Sequence, residues 1–212
     1  MVEGLRERKK RQTQQRISEV ATSLFVERGF EHVTIAEVAA AAEVSVNTVY
    51  NYFQAKEDLV LAPDQASAQR LADIVRHRRP GESATRAVLA HLRDEVHRRD
   101  RRLGLTEGFG RVYEMMRAAP TLTARLEELG RQMTDALAVV LAEETGAEPD
   151  DPMPRVVAAQ LGSLHSLVFA DIGNLTTAGA GPDEIAKALL KLLDVTEDLL
   201  SERLLSYAVR RD

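Results

Sequence analysis

Six residues in a run of eleven carry the groups best suited to chemistry: Val46, Asn47, Thr48, Tyr50, Tyr52 and Lys56. Asn47 offers an amide that both donates and accepts, Thr48 and the two tyrosines offer hydroxyls, and Lys56 offers an ammonium. No nucleophile or acid–base pair accompanies them, so the set suits recognition and not bond-making. An asparagine amide can pair bidentately with an adenine edge, and the methyls of Val46 and Thr48 can touch a thymine methyl. The hydroxyls of Tyr50 and Tyr52 and the ammonium of Lys56 lie further along, where they can grip phosphates and set the register.

The elements around these residues are predicted to be helices. Ile17, Val20, Ala21, Leu24 and Phe25 form one apolar stripe at helical spacing, which predicts a helix from about Leu5 to Arg28 ended by Gly29. Thr34 with Glu37 three residues on has the spacing of a capping box, predicting a short helix that stops near Ala42. Ser45 caps the next, which runs to about Tyr52. Three helices with a turn of three or four residues between the last two make a helix-turn-helix, whose second helix enters the major groove N-terminus first.

Composition points the same way. The chain has 212 residues, no cysteine, 7 prolines and 12 glycines, and is rich in strong helix formers, which predicts an all-α protein without disulfides or thiolate metal sites. No metal and no cofactor is expected. His91 and His97 stand six apart on different helix faces, and the serines and threonines near His165 form no recognisable triad order. The N-terminus MVEGLRERKKRQ lacks the apolar run of a signal peptide, and no apolar stretch approaches the ~20 residues of a membrane span. A cytoplasmic protein without membrane contact is the expectation. The net charge of -5 looks unfavourable for a nucleic-acid binder, but Arg6, Arg8, Lys9, Lys10, Arg11 and Arg16 cluster at one end with Glu7 the only acid among them. A basic segment with no apolar face predicts that residues 6–11 lack fixed structure in the free protein and order along DNA.

Residues 10–60 resemble the DNA-binding domain of the tetracycline-repressor (TetR/AcrR) family of bacterial regulators. The likeness runs without a gap through LFVERGFEHVTIAEVAAAAEVSVNTVYNYFQAKEDLV. It implies a homodimer on a palindromic double-stranded operator, a basic arm (Lys10, Arg11) near the DNA, and a variable helical domain that binds a small-molecule effector. It implies that Val46, Asn47 and Thr48 face bases. Tyr50, Tyr52 and Lys56, and the backbone at the start of the 34–42 helix (Thr34), would meet phosphates, with Ser45 at the head of the recognition helix. Two departures stand out: Glu43 occupies a turn position usually held by glycine, and Ala55 replaces the usual Ser or Asn cap.

These readings divide the chain into a DNA-binding domain at 1–55 and an effector-binding and dimerisation domain at 56–212. In the second, helices are expected at about 56–78 (disturbed at Pro63), 83–101, 105–118, 121–145, 153–175 and 182–207. The helices at 83–118 offer His91, Glu95, Glu107, Arg111, Tyr113, Met115 and Met116, and that at 153–175 offers His165, Phe169 and Asp171. A ligand site needs apolar walls and a few orienting polar groups, which selects His91, Arg111, Tyr113, His165 and Phe169. A stripe of small residues, Ala159, Ser163, Ser166, Ala170 and Gly173, lets helices approach closely. With Leu193 and Leu200 of the last helix, it is the expected dimer interface. Two rivals to a ligand-released repressor are a ligand-independent dimeric regulator governed by a protein partner and a helical enzyme with a vestigial DNA-binding domain.

Overall fold

Gly29 takes φ 85° and its amide bonds the Phe25 carbonyl at 2.9 Å, which ends α1 (Leu5–Arg28) where the sequence places the stop. This is seen in a computed structural model that describes residues 5–61, 67–100, 103–105 and 108–211, with side chains from residue 8 onward. Among those residues the fold is all-α, and the extended backbone makes only one isolated bridge, Ser83 to Val209. By internal packing the chain forms two units, Met1–Ala66 with Arg111–Arg125, and Ser67–Gly110 with Leu126–Asp212. The first unit therefore takes in a mid-chain segment that a boundary at residue 55 leaves out.

The first unit begins with α1. A turn of 3-10 helix at Phe30–His32 leads to α2 (Ile35–Ala41) and α3 (Val46–Tyr52). Ile17, Ala21 and Phe25 of α1 are fully buried, and so are Val38, Val49, Phe53 and Leu59 of the following elements, so each short helix contributes apolar burial to this unit. Neither α2 nor α3 is long enough to be stable alone.

Two expectations are corrected here. Residues 6–11 are not a separate unstructured arm: α1 is continuous from Leu5. The run Arg-Glu-Arg-Lys-Lys-Arg contains no breaker, and each of its residue types is a good helix former, so the helix propagates outward from its buried half. Nor does Lys56 open a long helix. Glu57–Leu59 is a single 3-10 turn, and α4 spans only Arg70–Arg76; Pro63 lies outside the described residues, as does Glu107.

The second unit contains α4, α5 (Ala84–Arg98), most of α7 (Pro120–Thr145), α8 (Met153–Thr177), α9 (Pro182–Leu199) and α10 (Glu202–Leu205). The short α6 (Phe109–Ala118) starts four residues later than expected. Proline at the first or second position of α7, α8 and α9 suits helix entry, where no amide partner is required. The expected single helix at 182–207 breaks at Leu200, which is extended (φ -77°, ψ 136°), and Ser201 caps α10 by accepting from the Leu204 amide. Leu71, Val88, Leu92, Leu137, Leu161, Val168, Leu189 and Leu193 build one core. Among the described residues α8 alone is long and apolar enough to cross a membrane, but its face through Leu161, Val168 and Ile172 lies in this core, as in many soluble proteins.

Candidate nucleic-acid interface

The turn between α2 and α3 is built by hydrogen bonds that local spacing dictates. The Thr34 hydroxyl accepts from the Glu37 amide at 3.2 Å, and the Glu37 carboxylate accepts from the Thr34 amide at 2.8 Å. The two Thr34 donors, amide first and hydroxyl second, hold the Glu37 carboxyl below the usual carboxylate range, with help from Arg28 at 3.6 Å. After α2, the amides of Glu43 and Val44 bond the carbonyls of Ala40 and Ala39 at 3.1 and 2.9 Å. This is a Schellman closure, and it requires the left-handed residue that Glu43 supplies at φ 53°. Ser45 then caps α3: its hydroxyl accepts from the Thr48 amide at 3.0 Å and lies 2.8 Å from the Thr48 hydroxyl.

These bonds sort the candidate residues. Val49 and Phe53 anchor α3 inward, which leaves Val46 (39% exposed), Asn47 and Tyr50 (55% exposed) on its outward side. Those three are free to meet a ligand surface. The polar groups of Thr34, Ser45 and Thr48 are occupied in capping, so Thr48 offers chiefly its methyl. Tyr52 is half-buried, while Lys10 and Arg11 are exposed on α1.

Lys56 is employed inside the unit. Its ammonium donates to the Phe30 carbonyl at 2.5 Å and stands 4.4 Å from the Phe30 ring centre and 5.5 Å from that of Phe25. A phosphate would share it with that carbonyl. The missing cap at Ala55 is compensated from the other direction: the Asp58 carboxylate accepts from the Ala55 amide at 3.0 Å and is paired with Arg125 at 3.1 Å. The sequence reading missed both Asp58 and Arg125, since the pair spans sixty-seven residues and no local spacing announces it.

Residues 17–62 match the family model for bacterial regulatory proteins of the tetR family. Over 174 residues the chain is 31% identical to the HTH-type transcriptional regulator TcmR of Streptomyces glaucescens, covering 78% of this chain and 75% of that one. Among solved structures, a putative TetR-family regulator from Syntrophomonas wolfei aligns over 91% of this chain and 98% of its own (TM-score 0.58, 17% identity). The SmeT–triclosan complex aligns over 91% and 93% (TM-score 0.57, 19% identity). The chain belongs to the TetR family. It is accordingly a DNA-binding transcriptional regulator and not an enzyme.

The effector residues expected of this TetR-family chain are divided between the two units. Arg111 and Tyr113 fall in the first unit, and His91, His165 and Phe169 in the second. Arg111 is exposed, and the Tyr113 ring is covered by the Arg117 guanidinium at 5.9 Å, one helical turn on. An open cleft of about 410 Å³ beside α9 is lined by His97, Arg99, Asp183, Lys187, Lys191 and Asp194 among others. None of the five expected residues lines it; Ala186 and Leu190 form its apolar floor, and its other lining residues are charged or titratable.

His91 and His165 belong instead to a buried polar cluster. One guanidinium nitrogen of Arg70 donates to both carboxylate oxygens of Glu95 at 2.6 Å, and the His91 Nε2 lies 3.3 Å from the same carboxylate. Burial alone would raise the Glu95 carboxyl, but the His91 hydrogen bond and the Arg70 charge outweigh it and hold the group below its ordinary value. Burial, reinforced by Arg70 and opposed by Glu95, pushes the His165 imidazole down to about 4. Phe169, one turn along α8 from His165, meets Phe109 edge to face at 5.9 Å.

The dimer residues also separate. Ala159, Ser163 and Ser166 are exposed and Ala170 is half-buried, a continuous outward strip on α8 that includes Val156 and Leu167. Gly173 is buried at its inner edge. Leu193 is a correction: it is fully buried, because with Ile185, Ala186 and Leu189 it forms the inward face of α9. The exposed apolar residues of α9 are Val195 and Leu199, the last 81% exposed, while Leu192 is half-buried and packs against the core. Leu200 is half-buried beyond the end of that helix.

Proposed function

We propose that this TetR-family regulator is a cytoplasmic homodimeric repressor, released from a palindromic operator when a small molecule binds. Residues 1–55 carry the DNA contacts and 56–212 the effector and dimer surfaces. The observation that carries this reading is the outward face of α3. Asn47 and Tyr50 stand free while every nearby capping group is already satisfied, so the frame is rigid and the reading groups are unspent. Asn47 meets a base edge, the methyls of Val46 and Thr48 meet apolar base surface, and Tyr50 and Tyr52 meet phosphates. Lys10 and Arg11, carried on α1, supply charge toward the backbone.

Dimerisation is supported by the outward strips of α8 and α9. A face containing Val156, Leu167, Val195 and Leu199 is costly to leave in water, and small residues between them permit close helix approach. Two copies would pack these helices as a four-helix bundle. A ligand-responsive role is supported by the solved complex of SmeT with triclosan and by the polar cluster inside the second unit. The test is Ser166→Arg, which puts unpaired charge in the proposed seam and leaves residues 45–56 untouched. Gel filtration is expected to show a monomer, and DNA titration a loss of operator affinity. A dimer with full affinity would place the interface elsewhere.

A further inference from the structure

Arg70 makes an unusual bond. Arginine and carboxylate ordinarily meet as a fork, with two nitrogens facing two oxygens. Here one terminal nitrogen serves both Glu95 oxygens, and His91 holds one of those oxygens from another side. The Nε–H is left buried and, among the described residues, without an acceptor. The Arg70 side chain is 13% exposed and that of Glu95 0%, so the donor lies away from solvent. A buried donor without a partner is destabilising by about 1–3 kcal/mol, and its persistence calls for an explanation.

We infer that the Nε–H of Arg70 is the anchoring donor for the effector, an uncharged aromatic molecule bearing a carbonyl oxygen. This inference rests on the ligand-released reading above and names the ligand class. Three features select that class. The free group is a donor only, so the ligand must present an acceptor. The guanidinium and the Glu95 carboxylate already cancel, so an anionic ligand would bring an unpaired charge into a buried site beside a carboxylate. The apolar part is an aromatic edge: Phe109 and Phe169 lie at 79° to each other, half-buried, and an aromatic ring can extend that edge-to-face packing. Gly104 makes room for the Phe109 ring, which would lie 2.6 Å from a side-chain carbon at that position. His91 and His165 are both half-buried, so the cluster reaches the surface of the unit there. His165, four residues from Phe169 on the same face of α8, feels the charges of Arg70 and Glu95 and so links the aromatic edge to the polar cluster.

The test is isothermal titration calorimetry of the full chain with chromone, a neutral planar ketone, and with chromone carboxylate, the same ring carrying an anion. Chromone is expected to bind, and the carboxylate at least about tenfold more weakly. Arg70→Lys keeps the charge opposite Glu95 but has no Nε–H, so it is expected to lower chromone affinity by roughly tenfold or more with little change in melting temperature. No binding of chromone, preference for the carboxylate, or undiminished binding by Arg70→Lys overturns the inference. The charge preference is read on the unaltered protein and stands even if the variant folds poorly. Operator affinity, measured separately by fluorescence anisotropy, isolates the parent reading. Chromone that binds through Arg70 yet leaves the operator complex intact defeats ligand release and keeps the site. Another compound that releases the operator equally well from Arg70→Lys defeats the site and keeps ligand release.

Discussion

The caps of the helix-turn-helix and the buried charges of the second unit satisfy their polar groups over different distances. In the first, Thr34 meets Glu37 and Ser45 meets Thr48, each three residues away and each at the surface. In the second, Arg70 reaches Glu95 across twenty-five residues, and Arg78, 1% exposed, reaches Glu144 across sixty-six and the Ala208 carbonyl across one hundred and thirty. A surface cap can be exchanged for water at small loss, whereas a buried charge cannot. The first unit thus keeps its unspent donors outside, on Asn47 and Tyr50, where a large external partner can reach them. The second, among the described residues, holds a buried donor without an acceptor on Arg70, where only something small enough to be enclosed can use it.

Removing one partner from each kind of bond should expose that difference most strongly. Glu95→Ala leaves the Arg70 guanidinium buried without its counter-charge, and a loss of about 3–5 kcal/mol is expected in urea unfolding of the second unit. Thr34→Ala removes a surface cap and should cost about 1 kcal/mol. Replacing Arg70 by Met and Glu95 by Leu together should recover most of the loss, because the penalty belongs to the orphaned charge and not to the missing attraction. If Glu95→Ala costs no more than the cap, the contrast between the units does not hold.

Acid should separate them next. His165 stays neutral in the folded chain down to about 4, held there by burial and by Arg70 against the opposing pull of Glu95, while the unfolded chain takes up a proton near 6.5. Its contribution is complete above 6.5 and is lost progressively as pH falls from 6.5 toward 4. Between pH 7 and pH 5 the second unit should lose about 2 kcal/mol through this group. His165→Leu should remove that slope. Glu95 and Glu37, both held below the usual carboxylate value, act in the same direction but at lower pH, being fully favourable above about 4.5 and losing that effect as their folded-state values are crossed. Denaturation midpoints across this range, with and without His165, check the assignment.

What could be read from the sequence follows the same division. The helix-turn-helix was legible because its determinants are short: Gly29 after Phe25, Thr34 with Glu37, Ser45 with Thr48, and an apolar stripe through Ile17, Ala21 and Phe25. The sequence also placed His165 and Phe169 on one helix, at 153–175. It could not show that Arg70 would face Glu95, because α4 and α5 are joined by a turn whose geometry is set by packing, and nothing in residues 70–76 departs from an ordinary amphipathic helix. The misplacement of Leu193 has a related cause. A helix rich in leucine around its circumference does not announce which side is buried, and packing against the rest of the unit decides it.

On the recognition face the expected effects are smaller and of a different kind. Asn47→Ala should relax preference at one operator position by about 1–3 kcal/mol, while Tyr50→Phe should weaken all sequences alike, as loss of a phosphate contact does. Lys56→Ala should lower thermal stability as well as affinity, since the ammonium braces the Phe30 carbonyl and two rings. Titrations against single-position operator variants, paired with melting curves, tell these apart. Equal loss of discrimination from Asn47→Ala and Tyr50→Phe would show that base reading and phosphate contact are not divided in this way.

The smallest effect is expected at Glu43, and it should be favourable. Its φ of 53° lies in the left-handed region, where a side chain bears a steric penalty of about 1–2 kcal/mol that glycine avoids. The backbone conformation is imposed by the two bonds that close α2, from Glu43 to Ala40 and from Val44 to Ala39, so the turn keeps its shape whichever residue occupies it. The exposed Glu43 side chain lies in no hydrogen bond or ion pair among the described residues that would be lost. Glycine gains conformational freedom in the unfolded chain, which offsets part of the relief. Glu43→Gly should therefore stabilise the first unit by roughly 0.5–1 kcal/mol, read as a rise in the urea midpoint with an unchanged slope. Because α3 is already capped by Ser45 and anchored by Val49, operator discrimination should stay the same. A destabilised variant would mean that Glu43 holds the turn through its side chain, and the first unit would then share the second unit's reliance on particular polar groups.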